Sequence, residues 1–401
     1  MSKGTILCIA SYEKGHDFLR ECRAQGWRVL LLTGQSLQNA AWPRESIDET
    51  FYMPDENKQW KLNDVIYAVS YLARNEALDR IVPLDDFDLE TAATLREHLR
   101  IPGMGETTTR YFRDKLAMRA RALDAGLPVP EFVQVLNREA LGKYMKDIPA
   151  PWVLKPRSQA GAIGIKKIHN EEELWQAAEK LGDQQSFYLL ERYVPGDIFH
   201  VDTIIYEKEV VFSLASRYGA PPMDVSHGGG VFTSRTMSNE SADAKELIAL
   251  NKNVLKAFGM VRGVSHSEFI KAKQDGKFYF LETAARVGGA HLADMVEAAS
   301  GTNLWREWAR VELAGGKASY APPEPRKDYA GILVSLAKEE SPDTSRFSDP
   351  EIVWRMNKAH HIGLIVRSAS PERVEELLSE YIRRIEQEHM AVAPAAERAT
   401  H

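Results

Sequence analysis

Two runs, His266-Ser267-Glu268-Phe269 and Phe278-Tyr279-Phe280-Leu281-Glu282-Thr283-Ala284-Ala285-Arg286, decide how this chain is read. Each places one carboxylate in an apolar, β-rich stretch, and Lys271-Ala272-Lys273-Gln274-Asp275-Gly276-Lys277 joins them. Asp275-Gly276 tolerates positive φ, so the linker predicts a hairpin turn. Two neighbouring antiparallel strands then hold Glu268 and Glu282 side by side. Ionised carboxylates at that separation repel, and a cation between them relieves the repulsion; hard oxygen ligands select Mg²⁺ or Mn²⁺. The alternative is a pair of strand glutamates facing solvent.

The chain has 401 residues, 44% of them hydrophobic, with a formal net charge of −6. That composition fits a globular protein of roughly two or three domains. No basic stripe stands out, which argues against a nucleic-acid partner. Cys8 and Cys22 are the two cysteines and form no CxxC pair, so zinc and a disulfide framework are not expected. Ile6 to Ala10 is too short for an apolar targeting core, and no run approaches the ~20 apolar residues of a membrane span. A cytoplasmic protein with no membrane partner is the expectation.

Residues 4–112 alternate strand and helix: strands over Thr5–Ala10, Trp27–Leu32 and Arg80–Pro83, helices over Asp17–Gln25, Val65–Asn75 and Leu89–Leu99. Such alternation predicts a parallel sheet. Asp85, Asp86 and Asp88 follow the third strand, either as an acidic cap for the next helix or as ligand-facing groups. A helix over Arg110–Ala125 ends at Gly126, with Pro128 and Pro130 beyond. An α+β region begins at Trp152, with strands Gly164–Ile168, Phe187–Tyr193, Phe199–Tyr206 and Val210–Ser216. After the stiff linker Ala321-Pro322-Pro323-Glu324-Pro325, a smaller unit is expected, with strands Ala330–Ala337 and His361–Val366 and a helix Pro371–Glu388. The domain reading is therefore 1–112, 113–320 with a lid over about 113–195, 321–390, and a disordered tail at 391–401.

A second chemical signal is Trp152-Val153-Leu154-Lys155-Pro156-Arg157-Ser158-Gln159-Ala160-Gly161-Ala162-Ile163-Gly164-Ile165. A lysine closes a buried strand, and a loop of small residues follows. Backbone N–H groups in such a loop can close on phosphate oxygens, with the lysine as a point charge. An ordinary hairpin with a lysine reaching solvent reads equally well from these residues alone.

Taken in order, these features resemble the ATP-grasp superfamily over roughly residues 1–315. The resemblance implies an N-terminal Rossmann-like parallel-sheet domain, a two-part ATP-grasp domain and a small C-terminal α+β subdomain: α/β and α+β together. Lys115 and Lys155 match the family's two nucleotide lysines. Ser158, Gly161, Ala162 and Gly164 fall in its phosphate-covering loop. Leu190-Glu191-Arg192-Tyr193-Val194 is similar to the hinge that reads adenine, with Glu191 beside the amino group and the backbones of Arg192 and Val194 at the base. Glu268 and Glu282 match the Mg²⁺ ligands, and Arg286 the residue that steadies transferred phosphate.

Three positions depart from the pattern. Ala284 stands where the family writes asparagine on the second metal strand. The ribose glutamate is replaced by Ile198, which leaves Asp197 beside it, or Asp202, for that contact. His266 stands where some relatives have arginine.

The chemistry implied is ADP-forming ligation. A carboxylate is a poor electrophile, and phosphorylation by ATP gives an acyl phosphate that an amine can attack; such catalysis is mostly positioning and charge neutralisation. The layout most resembles carboxylate–amine ligases that condense amino acids, so small-molecule acid and amine partners are expected, with a homodimer left open. Substrate contacts are sought at Arg217, at His227 and Gly229 in the triple-glycine segment, at His266, and at Gly288-Gly289-Ala290-His291, where a helix opens. A surface loop without a ligand is the other reading of the triple glycine. A biotin-carboxylase-like enzyme and a non-catalytic ATP-binding protein are the alternatives.

Overall fold

The computed structural model describes residues 2–159, 161, 163–221, 225, 230–316 and 318–391. Its first sheet is parallel, in the order β3-β2-β1-β4, built from β1 (Thr5–Ala10), β2 (Arg28–Gly34), β3 (Glu49–Met53) and β4 (Arg80–Pro83). Successive residues of β1 feed opposite cores. Ile6 and Cys8 pack with Phe18, Leu19 and Cys22 of one helix, while Leu7 and Ile9 pack with Val65, Val69, Ala92 and Leu95 of two others. Burial on both faces is why this strand reads as an unbroken apolar run. Strand β3, mixed in composition and lying at the edge, was not expected from the sequence.

A four-stranded antiparallel sheet follows, ordered β5-β8-β6-β7: β5 (Phe132–Gln134), β6 (Trp152–Pro156), β7 (Lys166–Ile168) and β8 (Tyr188–Arg192). Helices Arg138–Asp147 and Glu171–Leu181 cover it through Leu141, Tyr144, Leu174 and Ala178. The helix expected over Arg110–Ala125 is in fact two, Glu106–Arg110 and Lys115–Asp124. Asp114 breaks them, leaving helical geometry at φ −100° and ψ 109° to accept from Leu116 N at 2.9 Å as an N-cap.

The third sheet has eight strands, ordered β13-β12-β9-β10-β11-β14-β16-β15. They are β9 (Gly196–Tyr206), β10 (Glu209–Tyr218), β11 (Phe232–Thr236), β12 (Gly263–Ala272), β13 (Phe278–Ala284), β14 (Tyr329–Leu336), β15 (Ile352–Arg355) and β16 (His361–Ser368). The segment read as a small C-terminal subdomain thus contributes three strands to the same sheet, because β14 pairs with β11, Ile332 opposite Ser234. Helix Pro371–Glu388 closes that end, placing Val374, Leu377 and Tyr381 against Leu333, Leu364 and Val366. Residues 392–401, most of the expected tail, lie outside the described residues. Among the described residues no helix is long and apolar enough to cross a membrane.

The pleat of β9 sets the position of the site. Ile198 and Ile204 enter one core, and Phe199, Val201 and Ile205 the other. His200 and Asp202 share the Ile198 face by the two-residue period. The register carries that face across the sheet: Glu268 lies opposite His200, His266 opposite Asp202, and Glu282 opposite Glu268.

Candidate active site

Glu268 and Glu282 form a direct cross-strand pair of β12 and β13. The turn between the strands has Gly276 at φ +69°, and Lys277 N donates to Asp275 Oδ1 at 3.0 Å. Immediately beyond the pair the register slips, so that Phe269 meets Phe280 and Leu281 is left as the extra residue of a β-bulge. A bulge re-aims the side chains beside it. Here Leu281 and Glu282 both line one cleft, together with Lys115, Lys155, Glu191 and Glu268.

The cleft lies between the four-stranded and eight-stranded sheets. Val153, Ile165, Val194, Ile198, Ile270 and Leu281 give it apolar walls, and Ile198 and Ile270 are themselves cross-strand partners. Its polar end carries two lysines. Lys115 Nζ lies 2.7 Å from Glu282 Oε2 and donates to the Gln159 carbonyl at 2.7 Å. Lys155, at the buried end of β6, pairs with Glu191. An apolar slot ending in two cations and two carboxylates suits a flat base carrying a polyphosphate, with a divalent cation between the carboxylates and the phosphates.

Arg119 was not anticipated. It is fully buried, with Nη2 2.9 Å and Nε 3.0 Å from Glu191 Oε2, and Nη1 donates to the Leu281 carbonyl. One guanidinium therefore ties the acid of β8 to the backbone of the bulge that aims Glu282. Burial alone would raise Glu191, but Arg119 and Lys155 hold it below the usual carboxylate range. Burial pushes Lys155 down to about 8 against the pull of Glu191, with Arg119 adding to the fall.

Behind Glu268 lies a buried polar cluster. Asp202 accepts from His266 Nδ1 at 2.9 Å and from His200 Nδ1 at 2.8 Å; His200 Nε2 faces Ser234 Oγ at 2.8 Å. The Tyr218 hydroxyl donates to Glu268 Oε1 at 2.8 Å, and His266 Nε2 is 3.7 Å from the same oxygen. Burial would lower His266, yet Asp202 and then Glu268 raise it to about 9. Burial keeps His200 low, hence neutral. The sequence signal for this cluster was a pair of polar residues, His200 and Asp202, at alternate positions of an otherwise apolar strand, on the face of Ile198 and Ile204.

Several expected site residues stand elsewhere. Asp197 lies on the face opposite Ile198 and pairs with Arg217 at 2.8 Å, and neither is among the residues lining the cleft. Asp202 is wholly buried between two histidines. Gly161 lines the cleft, as do Arg192 and Val194, whereas Ser158 and Gly164 are not among its lining residues. Gly164, at φ +72°, packs against Pro156, where a Cβ would come within 2.9 Å. Ala162, His227 and Gly229 lie outside the described residues.

Gly288 admits a close approach, since a Cβ there would come within 2.9 Å of His266 Nδ1, while Gly289 faces open space. His291, at φ +59°, turns its ring to Asp294 at 2.8 Å and to Trp354. Arg286 is half-buried and held by Asp86 at 3.2 Å and by the Val287 carbonyl. Its Nε has no hydrogen-bond partner among the described residues. The acidic group after β4 serves as a cap and as an anchor for Arg286. Asp85 accepts from Phe87 N as a cap, and Asp86 anchors Arg286.

Residues 148–294 match the ATP-grasp domain family. The chain is 28% identical over 241 residues to an L-arginine-specific L-amino acid ligase of Bacillus subtilis, a match covering 59% of this chain and 58% of that relative. It therefore spans less than two thirds of that protein's length. A D-alanine–D-alanine ligase of Pelotomaculum thermopropionicum is 26% identical over 236 residues, covering 52% of this chain and 73% of the relative. The structure of an L-amino acid ligase from Bacillus licheniformis superposes with a TM-score of 0.71 at 17% identity, covering 98% of this chain and 99% of that one, which is a likeness of fold.

Proposed function

We propose that this chain, whose residues 148–294 match the ATP-grasp domain family, is an ADP-forming, ATP-dependent ligase that joins a carboxylate, an amino acid, to an amine. The observation that carries the reading is the Glu268–Glu282 cross-strand pair, facing one cleft with Lys115 and Lys155. Two anionic oxygen donors beside two lysines fit a Mg²⁺ or Mn²⁺ ion with the phosphates of ATP. The bound cation supplies neutralisation of phosphate charge as the γ-phosphoryl group moves.

The chain's own residues do the rest. The apolar walls hold the base, and Lys155 meets the phosphates from a position fixed by Glu191. Lys115 leaves Glu282 for phosphate when the nucleotide enters. Arg286, anchored on one side by Asp86 and with Nε unpaired among the described residues, steadies the transferred group. Residues Gly161 and Ile163 of the small-residue loop cover the phosphate end and exclude water, which protects an acyl phosphate from hydrolysis.

A coupled ADP-release screen of amino acids, singly and in pairs, tests the reading. ADP with phosphate should form only with an acceptable acid and amine present. AMP as the main nucleotide product would mean an adenylating mechanism and would remove the proposal.

A further inference from the structure

We propose that Arg113 binds an oxyanion of the reaction beside Arg286: the carboxylate of the acid substrate, or the phosphoryl group passed to it. The inference rests on the ligase reading above and adds a contact for the group that ATP activates.

Arg113 lies in the turn between helices Glu106–Arg110 and Lys115–Asp124, with Phe112 buried in the core before it and Asp114 capping the second helix after it. The residue is only 8% exposed, yet among the described residues its guanidinium makes no hydrogen bond and no ion pair. It lies instead over the ring of Phe87, 4.9 Å from Cζ to the ring centroid. Its N–H donors are thus largely withdrawn from water without a partner, on a plane that the aromatic face helps to fix. Donors so placed are costly unless an acceptor completes them.

The neighbouring acids are already engaged. Asp114 accepts from Arg157 Nε at 3.0 Å, and Asp85 pairs with Lys14. Asp86 holds Arg286 at 3.2 Å, and Glu282 holds Lys115 at 2.7 Å. Asp88 accepts from the Ser11 N–H at 2.9 Å. Burial would raise Asp86, yet Arg286, then Arg113 and Lys115, hold it below the usual carboxylate range. Of these three cations, Arg113 is the one without a hydrogen-bonded partner among the described residues.

One turn places the two guanidiniums. Asp86 anchors Arg286, and the adjoining Phe87 carries Arg113, at the C-terminal end of the parallel sheet, where α/β folds receive ligands. Neither arginine is among the residues lining the nucleotide cleft. Lys115 lines the polar end of that cleft and also acts on Asp86, so it connects the two places. The unpaired guanidinium therefore lies beyond the phosphate end of the cleft, where the acid substrate must meet the nucleotide. Its planar fork suits carboxylate and phosphoryl oxygens alike.

Arg113→Met in the full-length protein tests this, because it removes the charge and keeps an apolar chain against Phe87. Without ligand its thermal midpoint should equal or exceed that of wild type, since a buried charge without a partner is gone. Calorimetry then separates the two sources of the oxyanion. If it is the phosphoryl group, the variant binds MgATP about tenfold more weakly, the scale of one charge-assisted contact, with MgADP affinity unchanged. If it is the carboxylate, both nucleotides bind as in wild type. The standard amino acids, offered singly to protein saturated with a non-hydrolysable MgATP analogue, then include one whose affinity falls about tenfold. A lower thermal midpoint, an equal loss for MgATP and MgADP, or no loss in either arm overturns the proposal and leaves the ligase reading standing. Wild-type protein that binds no MgATP overturns both.

Discussion

Lys115 and Glu282 form an ion pair, 2.7 Å from Nζ to Oε2, in the place where the proposed cation and phosphates would meet. The lysine neutralises the carboxylate when nucleotide is absent, and so competes with the cation for it. Lys115→Ala should therefore bind Mn²⁺ more tightly in the absence of nucleotide, by about fivefold, the scale of a partly exposed pair worth ~1 kcal/mol. The same variant should bind ATP more weakly. Titration of Mn²⁺ by paramagnetic resonance and of ATP by calorimetry checks both, and opposite signs are required.

Lys155 gives a pH signature. Burial, opposed by Glu191 and reinforced by Arg119, leaves it near 8 in the free protein. Phosphate beside it favours the charged form and raises that value in the complex. Below pH 8 the lysine is already charged, and affinity should be level. Above pH 8 binding must take up a proton, so ATP affinity should fall as pH rises, and calorimetry at pH 9 in buffers of different ionisation enthalpy should register the uptake. Lys155→Ala should bind ATP ~1.5–3 kcal/mol more weakly, the scale of a charge-assisted contact, and should lose this pH dependence. Unchanged ATP affinity in that variant would take the lysine out of the site.

The sequence showed some of this site and hid the rest for physical reasons. The Glu268–Glu282 pairing was legible because a short turn fixes the register of adjacent strands, and Asp275-Gly276 announces that turn. The misplacement of Asp197 came from the opposite problem. In a strand a shift of one residue changes the face, and nothing local says which of Asp197 and Ile198 looks into the cleft. Arg119 was invisible because its partners, Glu191 and Leu281, lie 72 and 162 positions away. The C-terminal strands read correctly as strands, but their attachment to β11 is a long-range pairing that composition does not encode.

Arg119 should matter to stability and to geometry together. Removing one member of a buried ion pair leaves its partner uncompensated, at about 3–5 kcal/mol. Glu191 retains Lys155, so Arg119→Met should fall at the low end of that range. The freed Leu281 carbonyl should also loosen the bulge. The expected result is a lower thermal midpoint with weakened Mn²⁺ binding, even though Arg119 does not line the cleft. Metal affinity equal to wild type in a folded Arg119→Met protein would show that the bulge holds its shape without the arginine.

Substitutions at Glu282 and Arg286 separate catalysis from mere nucleotide binding. Glu282→Gln keeps size and hydrogen bonding but removes one negative charge from a site that must balance a divalent ion. Turnover should nearly disappear. Arg286 acts through charge as the phosphoryl group moves, so Arg286→Ala should lower kcat by about 10²–10³-fold with little change in ATP affinity. Because that variant also strips Asp86 of its hydrogen-bonded partner, Arg286→Lys serves as the control: it keeps the charge beside Asp86 and should recover stability before it recovers rate. A protein that only binds nucleotide would show no substrate-dependent ADP release in any of the three. A Glu282→Gln enzyme turning over at the wild-type rate would remove the carboxylate pair from the chemistry.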